Sequence, residues 1–199
     1  MTEVSDNDTG GAAAAASVVP PPGAAGRRAP RHVLERILRV DQAGEYGAVR
    51  IYQGQRAVLG RHAGCAEELR KMEEQERHHL ETFSALLSEQ RVRPTLLHPL
   101  WHIAGFALGA GTALLGEKAA MACTVAVEEA IEGHYARQLD LLGETEAELK
   151  ETVRTFREEE LHHRDVGLAN GAEQAPAYPA LSSAIKAGTR LAIWLAERF

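Results

Sequence analysis

Two tetrapeptides of the form Glu-x-x-His, Glu76 to His79 and Glu160 to His163, pair residue types that bind metal ions. A carboxylate and an imidazole three residues apart share one face of a helix, so each pair could grip an ion from a single element. One such tetrapeptide arises easily by chance. Here each is preceded by a further glutamate at nearly the same distance, Glu45 standing 31 residues before Glu76 and Glu128 standing 32 before Glu160. The spacing describes a duplicated helix pair. Four glutamates and two histidines match the charge of two divalent cations, and an oxygen-rich set with one imidazole per metal favours iron or manganese over structural zinc.

The elements that must position these residues are helices, because Ala, Leu, Glu and Arg dominate the chain beyond Pro30 and apolar residues recur at spacings of three and four. Helices are predicted near 31–60, 65–91, 117–142, 146–170 and 180–198, with turn chemistry at 143–144 and 170–179. The apolar stripe of the second runs Leu69, Met72, Glu76, His79, Phe83, Leu86, and that of the fourth runs Leu149, Val153, Phe156, Glu160, His163, Gly167. The first reads Leu34, Leu38, Asp41, Glu45, Ala48, Tyr52, and the third Met121, Val125, Glu128, Ile131, Tyr135, Leu142. Six metal-binding side chains thus interrupt core stripes. Burying four carboxylates without partners is costly, so a cation pair is the simplest compensation. Ferritin-like dimetal bundles share this arrangement, with one Glu from each of two helices and an E-x-x-H from each of the others.

The neighbours of these residues have plainer readings. His78 and His162 fall off the stripe and are expected to be exposed or to lie behind the ligands. Asp41, one turn before Glu45, could hold the distal nitrogen of a ligand histidine or serve as an ordinary helix-start acid. Tyr135 shares the face of Glu128 as core packing, and His134 is offset from it. Glu129 and Glu159 are expected to point elsewhere, into solvent.

The 199 residues suffice for one sizeable core, and a net charge of -6 offers no basic field for nucleic acid. Cys65 and Cys123 form no CxxC pair, which leaves a disulfide framework and a zinc ribbon unsupported. Residues 10–30 are Ala, Gly or Pro at 16 of 21 positions, and 1–30 is therefore read as a disordered leader before a single domain at 31–199. Glu3, Asp6 and Asp8 argue against a mitochondrial leader, and no targeting segment is evident.

Residues 94–116 contain no Asp, Glu, Lys or Arg, yet their apolar part, Ile103 to Leu115, is too short and glycine-rich for a span of about 20 residues. An interfacial segment fits better, with Trp101 at the level of lipid headgroups. The final helix offers Ile185, Leu191, Ile193, Trp194, Leu195 and Phe199 beside Lys186 and Arg190, as amphipathic interfacial helices do.

Arg39-Val-Asp-Gln-Ala-Gly-Glu-Tyr-Gly-Ala48, Glu76-x-x-His79, Ala122-Cys-Thr-Val-Ala-Val-Glu-Glu129, Phe156-Arg-Glu-Glu-Glu-Leu-His-His163 and Ala187-Gly-Thr-Arg-Leu-Ala-Ile-Trp-Leu-Ala-Glu-Arg198 resemble the 5-demethoxyubiquinone hydroxylases of ubiquinone biosynthesis. The resemblance covers about Arg36 to Phe199. It departs at His162, where that family often has an acidic residue, and the leader has no counterpart. Carried over position by position, it implies a ferritin-like di-iron monooxygenase with two irons per chain, held by Glu45, Glu76, His79, Glu128, Glu160 and His163. Glu76 and Glu128 are then the natural bridging carboxylates. It also implies hydroxylation of a demethoxyubiquinone-type polyprenyl quinone by O2, NADH as reductant and partner proteins of the same pathway. The place of action would be the cytoplasmic face of the bacterial cell membrane, reached peripherally. No Gly-rich dinucleotide fingerprint supports direct NADH binding. The rival readings are a ferritin-like protein of iron storage or detoxification, a rubrerythrin-like peroxidase, for which the CxxC iron module is missing, and a purely structural bundle.

Overall fold

The computed structural model describes residues 29–199, all helix and connection, with no strand among them. The leader expected at 1–30 lies outside the described residues except for Ala29 and Pro30. Six helices follow in order: α1 (Arg31–Leu59), α2 (Ala66–Glu89), α3 (His98–Leu114), α4 (Glu117–Leu141), α5 (Ala147–Ala169) and α6 (Tyr178–Ala196). Short 3-10 turns at Glu144–Glu146 and Ala172–Gln174 lie between α4 and α5 and between α5 and α6. Five of these match the predicted helices within a few residues, and the sixth, α3, occupies the segment read as interfacial.

The bundle is built from two hairpins. α1 packs on α2 and α4 on α5, while α3 lies along α1 and α6 along α4. Local sequence marks the breaks. Gly60 ends α1 with φ 69°, its N–H bonded to Arg56 O at 3.0 Å, and Pro99 and Pro179 occupy the first turns of α3 and α6.

The contact between α1 and α3 is unusually close, and its glycines explain why. A Cβ at Gly109 would fall 1.9 Å from Ile51 O, and one at Gly54 would fall 2.2 Å from Phe106 O, so only hydrogen fits at either place. Helix backbones meet directly there. This seating of α3 against α1 packs the Trp101 ring, half-buried, against Val40, Ala43 and Ala196. The exposed large apolar residues of α3 are Leu100 and Ile103 near its start and Leu114 at its end.

Two apolar clusters fill the four central helices. One contains Leu38, Phe83, Tyr135, Val153 and Phe156; the other contains Tyr52, Leu69, Met72, Met121 and Val125. Between them each helix carries its glutamate or Glu-His pair. A polar belt therefore crosses the middle of an otherwise apolar interior.

Candidate metal centre

The stripe geometry brings Glu45 from α1, Glu76 and His79 from α2, Glu128 from α4 and Glu160 and His163 from α5 into one buried cluster, none of them more than 1% exposed. Their donor atoms fall into two groups, each with all atoms within 4.8 Å of one another: Glu45, Glu76, His79 and Glu160, then Glu76, Glu128, Glu160 and His163. Glu76 and Glu160 belong to both. Glu160 turns Oε1 to His79 Nδ1 and Oε2 to His163 Nδ1, each at 3.3 Å, and Glu76 lies 3.0 Å from His163 Nδ1 through Oε1 and 3.9 Å from His79 Nδ1 through Oε2. The shared carboxylates are thus Glu76 and Glu160, whereas the sequence suggested Glu76 and Glu128. Diagonal placement on α2 and α5 is the reason, since each Glu-x-x-His helix puts its carboxylate between the two histidines.

The outer atoms of the cluster are hydrogen-bonded. The Tyr135 hydroxyl donates to Glu45 Oε1, and the Tyr52 hydroxyl donates to Glu128 Oε1 at 2.8 Å. His79 Nε2 lies 2.6 Å from Glu159 Oε2, and His163 Nε2 lies 3.0 Å from Gln75 Oε1. The inner atoms are not. Glu45 Oε2, Glu128 Oε2, both oxygens of Glu76 and Glu160, and Nδ1 of His79 and His163 are all buried without a hydrogen-bond partner. Buried polar atoms are rarely left so. Eight orphaned donors converging on one place fit two cations, four to each, with outer hydrogen bonds fixing every ring and carboxylate.

Several neighbours differ from expectation. Glu159 is part-exposed yet backs His79, because it precedes Glu160 on the flank of α5 that faces α2. Gln75 holds the equivalent place before Glu76, and sequence reasoning missed it. Asp41 backs neither histidine; it accepts from Gln138 Nε2 at 2.6 Å, and His134 Nε2 lies 3.6 Å away. Glu129 forms an ion pair with Lys186 of α6. Tyr135 is more than packing, since its hydroxyl holds Glu45. His78 and His162 are exposed, as their place off the stripe requires.

Electrostatics show the strain of this crowd. Burial, then the charges of Glu160 and Glu45, hold the Glu76 carboxyl well above its usual range, and burial with Glu160 and Glu76 does the same to Glu128. Burial opposes the charged form of His79, but the facing carboxylates of Glu160 and Glu45 outweigh it and push the imidazole up to about 12. Burial likewise opposes ionisation of Glu160, yet His163 and His79 bring it down to about 2. The cluster limits its negative charge by holding protons where cations could sit.

An apolar cavity of about 320 Å³ lies between α1, α3, α4 and α6. Gly44, Ala48, Val127 and Ile131, neighbours of Glu45 and Glu128 in their helices, line it together with Trp101 and Gly105 of α3 and Gly188 and Ile193 of α6, and none of the six cluster residues does.

Residues 32–196 match the family described as ubiquinone biosynthesis protein COQ7. The chain is similar to the 3-demethoxyubiquinol 3-hydroxylase of Rhodospirillum rubrum, 66% identical over 173 residues covering 87% of this chain and 82% of that protein. It is also similar to the mitochondrial NADPH-dependent 3-demethoxyubiquinone 3-hydroxylase of Mus musculus, 55% identical over 85% of this chain and 79% of that one. The mitochondrial 5-demethoxyubiquinone hydroxylase of Saccharomyces cerevisiae is 44% identical, covering 83% and 78%. The matched residues run through all six helices and include every side chain of the buried cluster, so the chain belongs to the ubiquinone biosynthesis protein COQ7 family.

Proposed function

We propose that this protein is a di-iron monooxygenase that hydroxylates the ring of a demethoxyubiquinone-type polyprenyl quinone with O2. The convergence of eight buried, unpartnered donor atoms carries the reading. Glu45, Glu76, His79, Glu128, Glu160 and His163 would hold two irons, and the metals would supply activation of O2. The rest is the work of the chain. The apolar cavity takes the quinone and excludes water, with Gly44 and Ala48 leaving room for a ring close to Glu45. Tyr135 and Tyr52 keep the hydroxyl protons that fix Glu45 and Glu128, and burial with the neighbouring carboxylates holds both phenols well above their usual range.

The reductant is a reduced nicotinamide nucleotide; NADH was the expectation, and the mouse relative's name specifies NADPH. Because a polyprenyl tail does not leave the bilayer, the protein would bind the membrane surface peripherally. No helix among the described residues is long and apolar enough to cross a membrane. Exposed Leu100 and Ile103 on α3 and Leu191 and Trp194 on α6 flank the cavity and supply the docking face. On this reading the site of action is the cytoplasmic face of a bacterial cell membrane.

The test joins metal analysis to quinone profiling. The purified protein is expected to hold two irons, and a deletion strain to accumulate the demethoxy precursor until the wild-type chain is restored. Glu160→Ala, which removes a carboxylate shared by both donor groups, should fold yet lose metal and at least 100-fold in turnover, roughly the scale of losing a group that organises a site. Two irons and normal turnover in Glu160→Ala would sink the assignment.

A further inference from the structure

The two halves of the buried cluster correspond almost atom for atom. Each has a tyrosine hydroxyl on its unshared carboxylate, one oxygen from each of the shared pair Glu76 and Glu160, and one inward-facing Nδ1. Among the hydrogen bonds that back the ligands, the correspondence breaks at one place. Behind His79 stands the carboxylate of Glu159, at 2.6 Å, and behind His163 stands the neutral amide of Gln75, at 3.0 Å.

The two residues occupy the same position in the duplicated motif. Gln75 directly precedes Glu76 on α2 and reaches across to His163 on α5, while Glu159 directly precedes Glu160 on α5 and reaches back to His79 on α2. Both accept from the imidazole Nε2–H and so leave Nδ1 as the nitrogen that faces the cluster and would meet a cation once its proton is displaced. They differ in charge. A carboxylate acceptor draws the Nε2 proton toward itself, which makes Nδ1 a stronger electron donor than an amide acceptor can. It also adds one negative charge behind that half. Glu159 is 36% exposed, so water weakens its field, but the short hydrogen bond transmits its effect through the ring itself.

We propose that Glu159 is a positioning residue that makes the two metal positions unequal: the one on the His79 side, formed with Glu45, Glu76 and Glu160, fills first and holds its ion more tightly. The position on the His163 side, formed with Glu76, Glu128 and Glu160 and backed by Gln75, fills second. This rests on the dimetal reading above. Its consequence is an order of assembly and two electronically distinct ions, where the six ligand types alone would give an equivalent pair. The stacking of His79 on Phe156, at 3.9 Å between centroids, fixes that ring independently, so changing Glu159 alters charge while the ring keeps its packing.

The experiment titrates metal-free full-length protein with Fe(II) under anaerobic conditions, by calorimetry and by Mössbauer spectroscopy of the 57Fe-loaded protein. Wild type is expected to take up two ions in two resolved steps, with a single ferrous doublet at one equivalent and a second, distinct doublet at two. Glu159→Gln, which keeps a hydrogen-bond acceptor and removes the charge, should weaken the first step roughly 10- to 100-fold and merge the steps. Gln75→Glu should strengthen the second step by a similar factor. In wild type, Glu128→Ala should abolish the second step and leave the first. In a chain carrying both exchanges, Glu159→Gln and Gln75→Glu, the same substitution should abolish the tighter step instead, because the order of filling has been reversed. An unchanged melting temperature and helix content separate these effects from misfolding. Two ions bound in wild type, with isotherm and doublets unaltered by Glu159→Gln and by Gln75→Glu, would overturn the inequality and leave the dimetal reading standing. No stoichiometric uptake by wild type would remove both.

Discussion

At the scale of single residues, the cluster's protons give a direct prediction. Glu76 and Glu128 are held well above the usual carboxylate range, chiefly by burial, and His79 is pushed up to about 12 by the carboxylates around it. These groups carry protons near neutral pH that cations must displace. Raised pKa values mean that the protonated forms compete more strongly as pH falls, so metal affinity should rise with pH across the neutral range. Calorimetry in buffers of different ionisation enthalpy should show at least one proton released per chain on loading with Fe(II). Zero release would contradict the protonation described here. The six cluster residues were legible in the sequence because each breaks an apolar stripe. Glu159 and Gln75 were not, because residues beside a stripe are normally solvated and their role depends on how closely α2 and α5 approach. One signal was available: both directly precede the glutamate of a Glu-x-x-His motif, on the flank shared by the two helices. Tyr52 was placed correctly on the stripe, but no periodicity shows where a hydroxyl finds its acceptor.

At the scale of elements, α3 shows what composition conceals. Its lack of charge and its glycines suggested a loose interfacial segment, but Gly54, Gly105 and Gly109 are what let a regular helix lie against α1. Hydropathy reports how apolar a segment is, and only the fit of a second surface decides what it covers. The glycines divide by what surrounds them. Gly109→Ala would drive a methyl into the Ile51 carbonyl and is expected to cost about 2 kcal/mol or more, as overpacking does, seen as a drop of several degrees in melting temperature. Gly47 lines the cavity with open space where its Cβ would be. Gly47→Ala should therefore leave stability unchanged or raise it by about 0.5–1 kcal/mol, since Ala favours helix. Its effect should appear as a several-fold higher KM for the quinone. Equal melting temperatures for the two variants would show that the close contact between α1 and α3 is not as described.

At the scale of the whole molecule, exposed Leu96, Leu100, Ile103, Leu191, Trp194 and Phe199 lie on or beside the N-terminal part of α3 and the C-terminal part of α6, whose outer ends are joined by a hydrogen bond from Leu96 N–H to Phe199 O at 3.0 Å. The sequence pointed to both segments. Trp101, also expected at the headgroups, packs half-buried against Val40, Ala43 and Ala196, so substituting it would disturb the interior as well. Ile103→Glu combined with Trp194→Glu alters exposed side chains only, so the variant should stay with the soluble fraction in liposome flotation while wild type floats, both retaining their metal. Flotation of the variant would mean another surface carries the docking. The cavity that opens at this face has walls of unequal character. One is made by helices whose backbones touch, α1 and α3; the other is α6, which presents Gly188, Thr189 and Ala192 to the space. Across the cavity these small side chains interlock with nothing on α3, so this stretch of α6 is held from its other side, by α4 through buried Ile185 and the Lys186–Glu129 pair, whereas α3 cannot withdraw from α1 without opening a seam between main chains. The passage should breathe on one side only, α6 swinging while α3 stays still. Amide hydrogen exchange on the metal-loaded protein should accordingly run faster in α6 than in the glycine-bearing part of α3, and a long-chain quinone should slow it in α6 alone.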